Sequence, residues 1–408
     1  MIKQDVLLLT FFAASIIYRS HCYLHDMNIS SKLPTSGPTI FSTMSVLATQ
    51  YKAINLGQGF PDFDTDQVLL DLITKHLNEG KNQYCPMAGL PALRQTLSEK
   101  IERCYGMQVN PETQLCITAG ATQALFTAIT AFIRQGDEVI ILEPAYDCYK
   151  PEVLIAGGIP RPYSMVYPDY AIDWNEIRDM VNEKTKMIII NTPHNPSGTL
   201  LSADDMQQLE QIVAGKDIVV LSDEVYEHLI YDGEEHQSVM RFPNLFQQSI
   251  AVFSFGKTLH ATGWKMGYVV GAEALINEFK AIHQWNVFCV NSFIQFAIAD
   301  YLKDPTTYEQ LPSFFEQKRD QLTKLLEDVP MKPMISKGTY FQLYNYEEVS
   351  QQDDVTFAKY LTTEIGVAAI PMSPFYSTDP GDKTVRLCFA KKSETLELAA
   401  ERLQKLNP

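Results

Sequence analysis

From about residue 115 onward, short and continuously apolar runs alternate with stretches of helical periodicity. "LCITAG" is one such run, and "ATQALFTAITAFIRQG" after it reads as a helix stopped by Gly136. "DEVIILEP" reads as a strand closed by Pro144, and "KMIIIN", "DIVVLSDE" and "SIAVFSFG" repeat the pattern. A strand that is apolar at every position, rather than at alternate ones, is buried on both faces. Such strands separated by helices predict an α/β protein with a mostly parallel sheet. Ligands of these sheets sit at the carboxyl ends of the strands. The polar or small residues there are Gly120, Asn195, Asp223, Ser254 and Lys257.

Beyond about residue 273 the pattern changes. "EALINEFKAIHQWNVFCVNSFIQFAIADYLK" reads as one long helical stretch that leaves the sheet. After Asp304–Pro305 a further helix runs through "FFEQKRDQLTKLLEDV". Strands near "TYFQLYNY" and "TVRLCFA" then indicate a smaller α+β domain. No internal repeat interrupts this order.

The bulk composition narrows the function. The chain has 408 residues, enough for two domains. Its net charge of −16 argues against nucleic-acid binding, which needs a basic face. The seven cysteines are odd in number and lack a C-x-x-C pair. A disulfide framework or a bound metal is therefore not expected, and a reducing, cytoplasmic setting fits better. Residues 1–26 form an apolar extension in which Lys3 precedes a run from Val6 to Tyr18. That run is short for a membrane span, and no stable membrane association is expected. It reads as sequence ahead of a native start at Met27, as a secretory signal, or as an anchor, in that order of preference.

Several segments carry candidate chemistry. "SFGKTLHATGWKMGY" holds Lys257 and Lys265 with no acidic residue between them. Taken alone these are surface lysines; otherwise they face an anion or a carbonyl that is not part of the protein. "SDEVYEHL" puts Asp223 at the end of an apolar strand, as a helix N-cap or as an acid that needs a cationic partner. The two prolines and the glycine of "NTPHNPSGT" make a rigid loop around Asn195. "AGATQAL" places small residues and Thr122 at a helix start. Free amides there attract phosphate, although such junctions also occur without a ligand. Together these groups suit a phosphorylated aromatic aldehyde: a lysine for the carbonyl, an acid for a ring cation, an amide and a tyrosine for a ring oxygen, and a helix start for the phosphate.

At this point the ordered set "INLGQGFPDF", "NQYCPMAGLPALR", "TAGATQAL", "EPAYDCY", "NTPHNPSGT", "SDEVYEHL", "SFGKTLHATGWKMGY" and "VRLCFAK" resembles the class I/II, fold-type-I aminotransferases over residues 27–408. Within them it is most similar to bacterial methionine aminotransferases and to kynurenine and glutamine aminotransferases. The resemblance implies an α/β fold. A large domain (51–285) would hold a mostly parallel seven-stranded sheet in an α/β/α sandwich. A smaller α+β domain (286–408) would follow, with an N-terminal arm (27–50) joined to it. It also implies pyridoxal 5'-phosphate as cofactor, amino acids and 2-oxo acids as substrates, and a homodimer with shared sites.

Carried over, the resemblance assigns Lys257 the covalent link to the cofactor and proton transfer. Asp223 would pair with the ring nitrogen. Asn195 and Tyr226 would bond the ring oxygen, and Tyr146 would stack on the ring. Gly120, Ala121, Thr122, Ser254 and Lys265 would surround the phosphate, with lysine standing where many relatives use arginine. Arg386 would bind the substrate carboxylate, helped by Asn195 and the Gly59 backbone. Tyr84 and Phe288 would reach in from a neighbouring subunit, and Phe41 is either a lid over the substrate or core.

Single residues keep simpler explanations. Tyr146 is also compatible with a core aromatic, and Arg386 with a surface ion pair. His194, His228 and His283 have no convergent spacing, so packing is the expected role. The segments near the side-chain pocket, "TIF", "NQYCPM" and "WNVF", contain no second arginine. Methionine, phenylalanine, tyrosine, kynurenine or glutamine are therefore expected to outrank aspartate as donors. Two other functions use the same scaffold: β-elimination from cysteine S-conjugates, and cofactor sensing without turnover.

Overall fold

The computed structural model describes residues 30–33 and 37–406. The expected apolar extension, residues 1–26, lies outside the described residues. All elements below belong to the compact unit Pro38–Pro408.

A two-residue strand, β1 (Ile54–Asn55), precedes the main sheet. That sheet holds β2 (Leu115–Thr118), β3 (Glu138–Glu143), β4 (Ile159–Ser164), β5 (Thr185–Asn191), β6 (Val219–Asp223), β7 (Ser249–Ser254) and β8 (Gly267–Gly271), in the order β2-β8-β7-β6-β5-β3-β4. The pairs β7–β6, β6–β5, β5–β3 and β3–β4 are parallel. Strand β8 runs antiparallel to both β2 and β7. The sheet is thus seven-stranded and mostly parallel, as expected.

Side chains alternate between its two faces. Ile140, Ile188, Ile190 and Val220 join one apolar core, and Val139, Ile141, Met187, Ile189 and Leu221 join another. Burial on both faces explains why these strands read as unbroken apolar runs. Two strands escape that reading. "GYVVG" (β8) is short and glycine-bounded. "IPRPYS" (β4) carries Pro160 and Pro162, and it lies at the sheet edge, where proline is tolerated.

The second sheet is antiparallel and smaller. It contains β9 (Lys332–Met334), β10 (Phe341–Asn345), β12 (Ile370–Pro371) and β13 (Thr384–Cys388), ordered β12-β13-β10-β9. Between them β11 (Val367–Ala368) pairs in parallel with β1. The helix Ile40–Tyr51 packs against residues 361–371 beside this sheet.

Helix ends differ from expectation in two places. The helix after β2 spans Ala121–Phe132 and stops ahead of Gly136, because Ile133 is extended. The long stretch from residue 273 is two helices, Glu273–Asn286 and Ser292–Tyr301. Between them Phe288 adopts φ +68°, which breaks the helical hydrogen-bond ladder. Glu273–Asn286 packs on Ala121–Phe132, and Ser292–Tyr301 packs on the helices Gln67–Asn78 and Pro91–Tyr105.

Candidate active site

A cavity of about 350 Å³ opens where β5, β6 and β7 end. Thirteen residues singled out in the sequence line it: Phe41, Gly59, Gly120, Ala121, Thr122, Tyr146, Asn195, Asp223, Tyr226, Ser254, Lys257, Lys265 and Arg386. Tyr84 and Phe288 do not. They pack edge to face at 5.5 Å, and Tyr84 is 84% exposed. His194, His228 and His283 also lie outside the lining. His194 meets the Ser197 hydroxyl at 2.7 Å, His228 packs beside Glu227, and His283 meets the Gln123 amide. Burial pushes His194 down to about 4 and His228 down to about 3, so both stay neutral.

One end of the cavity suits an anion. The helix Ala121–Phe132 begins there, and no side chain caps its first amides. Its N-cap, Gly120, has φ +80°, a conformation that favours glycine. Gly267 of β8 backs onto this turn; a Cβ there would lie 2.5 Å from the Phe253 carbonyl oxygen and 3.2 Å from the Ala121 nitrogen. The bare backbone therefore brings the helix start to the cavity wall. Ser254 and Lys265 line the same end.

Asp223 ends β6 and is 4% exposed. Its hydrogen-bond partners are neutral: the Tyr149 hydroxyl donates to Oδ2 at 2.6 Å, and the Val225 amide donates to Oδ1 at 3.3 Å. Burial pushes its carboxyl up to about 6, against those two hydrogen bonds and the nearby Lys257 amine. A buried carboxylate in this state gains from a cation placed against it. Asn191 holds the strand end, since its Nδ2 donates to the Asp223 carbonyl and its Oδ1 accepts from the Asn195 amide, both at 2.8 Å.

Lys257 sits in the single turn Phe255–Thr258 that follows β7. Burial lowers its amine to about 8; Arg386 and Lys265 act in the same direction, and Asp223 opposes. Its Nζ donates to the Tyr340 hydroxyl at 2.7 Å and lies 5.4 Å above the Tyr226 ring. Arg386, in the middle of β13, is 1% exposed, which excludes the surface ion pair. Its Nη1 donates to Asn195 Oδ1 at 2.6 Å and its Nη2 to the Gly57 carbonyl at 3.2 Å. Its buried Nε has no partner. The rings of Phe341, Phe41 and Phe375 stand 3.7, 5.2 and 5.4 Å from the guanidinium carbon. A buried cation with neutral partners and an idle donor is prepared for a carboxylate.

Behind the lining lies a polar layer that the sequence did not reveal. Glu227 pairs with Lys100 at 2.8 Å and accepts from Tyr105 and Tyr268. Lys100 and neighbouring donors hold Glu227 down at about 2, against the opposing effect of burial. Tyr149, Tyr340 and Phe341 carry no local mark of function in the sequence, because nothing beside an aromatic residue tells which buried group its ring or hydroxyl will meet.

The chain matches the family model for aminotransferase class I and II over residues 51–403. It is 47% identical to the methionine aminotransferase of Escherichia coli K12, across 92% of this chain and 98% of that one. It is 34% identical to the kynurenine–oxoglutarate transaminase of Dictyostelium discoideum, across 92% and 96% of the two chains. A solved Escherichia coli structure, reported with a methionine aminotransferase function, superposes with a TM-score of 0.91 at 46% identity, covering 93% of this chain and all of that one. The chain belongs to the class I and II aminotransferase family.

Proposed function

We propose that this enzyme uses pyridoxal 5'-phosphate in the cavity described above, and that methionine and aromatic amino acids are its preferred donors. As a family member it transfers amino groups from amino acids to 2-oxo acids. The residues present fit the cofactor. The uncapped helix start with Ser254 and Lys265 suits its phosphate, and the elevated Asp223 carboxyl suits its ring cation. Tyr146 supplies a face for the ring, and Asn195 and Tyr226 supply donors for its oxygen. Pyridoxal phosphate, when bound, supplies a carbonyl that takes up the amino group and a ring that takes up electron density from the substrate Cα.

The chain's own groups do the rest. Arg386 fixes the α-carboxylate, with the Asn195 amide and the backbone near Gly59 beside it. Lys257, neutral above about pH 8, removes the Cα proton and later returns it. Asp223, as a carboxylate, keeps a facing ring nitrogen protonated. The aromatic walls exclude water.

The observation that carries the donor preference is the lining itself. Arg386 is the one arginine among the described residues that line the cavity, and Phe41, Phe60, Tyr146 and Phe341 surround it. With Lys257 and Lys265 assigned to the cofactor, a side-chain carboxylate there would be desolvated without a second free cation. A thioether or aromatic ring gains contacts with the walls. The Escherichia coli and Dictyostelium relatives support the same choice by name.

The exposed Tyr84 and Phe288 rings support a homodimer in which each subunit completes the other's site. In this reading the main sheet forms the large domain (51–285), and the second sheet, which carries Arg386, belongs to the small domain (286–408). No described helix is long and apolar enough to cross a membrane. A cytoplasmic location accords with the six free cysteines among the described residues.

The test is kcat/KM for each donor with one fixed 2-oxo acid. Methionine, phenylalanine and tyrosine should exceed aspartate by roughly tenfold or more, given the cost of burying an unpaired carboxylate. Aspartate as the best donor would overturn the donor assignment.

A further inference from the structure

The partners of Lys257 are unusual for a buried amine. Its Nζ donates to the Tyr340 hydroxyl at 2.7 Å and lies 3.4 Å from the Gly59 carbonyl oxygen. The Tyr340 hydroxyl donates to that same carbonyl. A carbonyl only accepts, so the phenolic proton points at Gly59 and a phenolic lone pair faces the lysine. Tyr340 is 0% exposed, and its ring stands edge-on to Tyr226 at 5.1 Å.

The placement of this ring is enforced. The preceding residue, Thr339, is fully buried with φ +67°. That conformation is disfavoured for a β-branched residue and persists only where the surroundings impose it. They do so here: the Thr339 amide donates to the Leu229 carbonyl at 3.0 Å, and its carbonyl accepts from the buried Tyr231 hydroxyl. The strained turn delivers Tyr340 to the lysine just ahead of β10.

We propose that Tyr340 is a positioning residue for Lys257: its hydroxyl oxygen holds the free amine at the Gly59 wall of the cavity, ready to take and return a proton. This rests on the reading of Lys257 as the proton-transferring group. The titratable and charged groups that face Lys257 are Asp223, Tyr226, Lys265, Tyr340, Arg386 and Cys388. Among them Tyr340 supplies the neutral acceptor for the ammonium form. Removing that acceptor should lower the Lys257 pKa further and leave the amine free to rotate. Carboxylate binding at Arg386 should be little changed.

The experiment is Tyr340→Phe in the full chain, beside wild type and Lys257→Ala. In cofactor-free protein, the Lys257 pKa is read by NMR after reductive methylation with ¹³C-formaldehyde, and Lys257→Ala assigns the resonance. In loaded enzyme, kcat, KM and the isotope effect of Cα-deuterated methionine are measured. We expect a downward pKa shift, kcat lower by about tenfold from the loss of a hydrogen bond to a charged group, KM within about twofold, and a larger isotope effect. An unchanged Lys257 pKa with kcat within about twofold of wild type overturns the role of Tyr340. Full turnover in Lys257→Ala overturns instead the reading beneath it. If Tyr340→Phe folds poorly, 3-fluorotyrosine at position 340 keeps the shape and weakens the acceptor. It should move the pKa in the same direction, and no movement refutes the proposal.

Discussion

Asp223→Asn should change how the stability of the cofactor-free protein responds to pH. Asp223 is buried among neutral partners, and its carboxyl is pushed up to about 6 from the ordinary 3.8. Its folded-state pKa is thus above its unfolded value. The stability it contributes is fully present below about pH 4 and is lost as pH rises through 6. A rise of about two units corresponds to about 3 kcal/mol, of which about 2 kcal/mol is lost between pH 4.5 and 7.5. Asparagine cannot ionise, so this loss should vanish. The substitution also weakens the bonds to the Tyr149 hydroxyl and the Val225 amide, but that cost is the same at every pH. Urea denaturation of both proteins, without cofactor, at the two pH values isolates the pH-dependent part. Relative to wild type, Asp223→Asn should gain about 2 kcal/mol on going from pH 4.5 to 7.5. With cofactor bound the sign should reverse, because a ring cation then pairs with the carboxylate, and loading should stabilise wild type more than the variant. Stability curves that run parallel with pH in the cofactor-free proteins would refute the argument.

Arg386→Lys should lower kcat/KM by roughly 10–100-fold, since lysine lacks the two-pronged donor set that meets a carboxylate; steady-state kinetics within twofold of wild type would exclude that role. Lys100→Met should destabilise the protein by about 3–5 kcal/mol, because it strands Glu227 as an unpaired buried charge. Urea unfolding measures this, and Lys100→Met with Glu227→Gln should recover part of the loss. Tyr84→Ala and Lys257→Ala should each be nearly inactive alone. Mixed and reassociated, they should regain roughly a quarter of wild-type activity, because half of the dimers are hybrids with one intact site. Activity assays that show no recovery would count against shared sites.

Much of this site was legible because its residues hang from strand ends. Asn195, Asp223, Ser254 and Lys257 follow apolar runs whose burial the sequence already declares, so their location at one end of the sheet follows from periodicity. Arg386 is different. It lies on another sheet, and only its resemblance to a family motif tied it to the same cavity. Tyr149 and Tyr340 were illegible for a physical reason: in "DCYKPE" and "KGTYFQ" a tyrosine looks the same whether its hydroxyl meets a backbone carbonyl, a buried carboxylate or a catalytic amine. The break at Phe288 was hidden in the same way, since apolar periodicity runs through it. Strands β4 and β8 were missed because proline and glycine, usually punctuation, here mark a sheet edge and a close backbone approach.

The cavity's two kinds of wall have separate foundations. Asp223, Asn195 and Lys257 are anchored to a sheet packed on both faces, where any shift would disturb two cores at once. Phe41 rides on the helix Ile40–Tyr51, apart from that sheet, and its ring packs on Phe375 at 5.7 Å and under the Arg386 guanidinium at 5.2 Å. Which amino acid is accepted can therefore be altered without moving the strand ends that carry Asp223, Asn195 and Lys257. A library at Phe41 and Phe375, with Arg386 kept, would sample new side-chain preferences against fixed strand ends, and the same separation would let descendants of this chain diverge in diet while inheriting one chemistry.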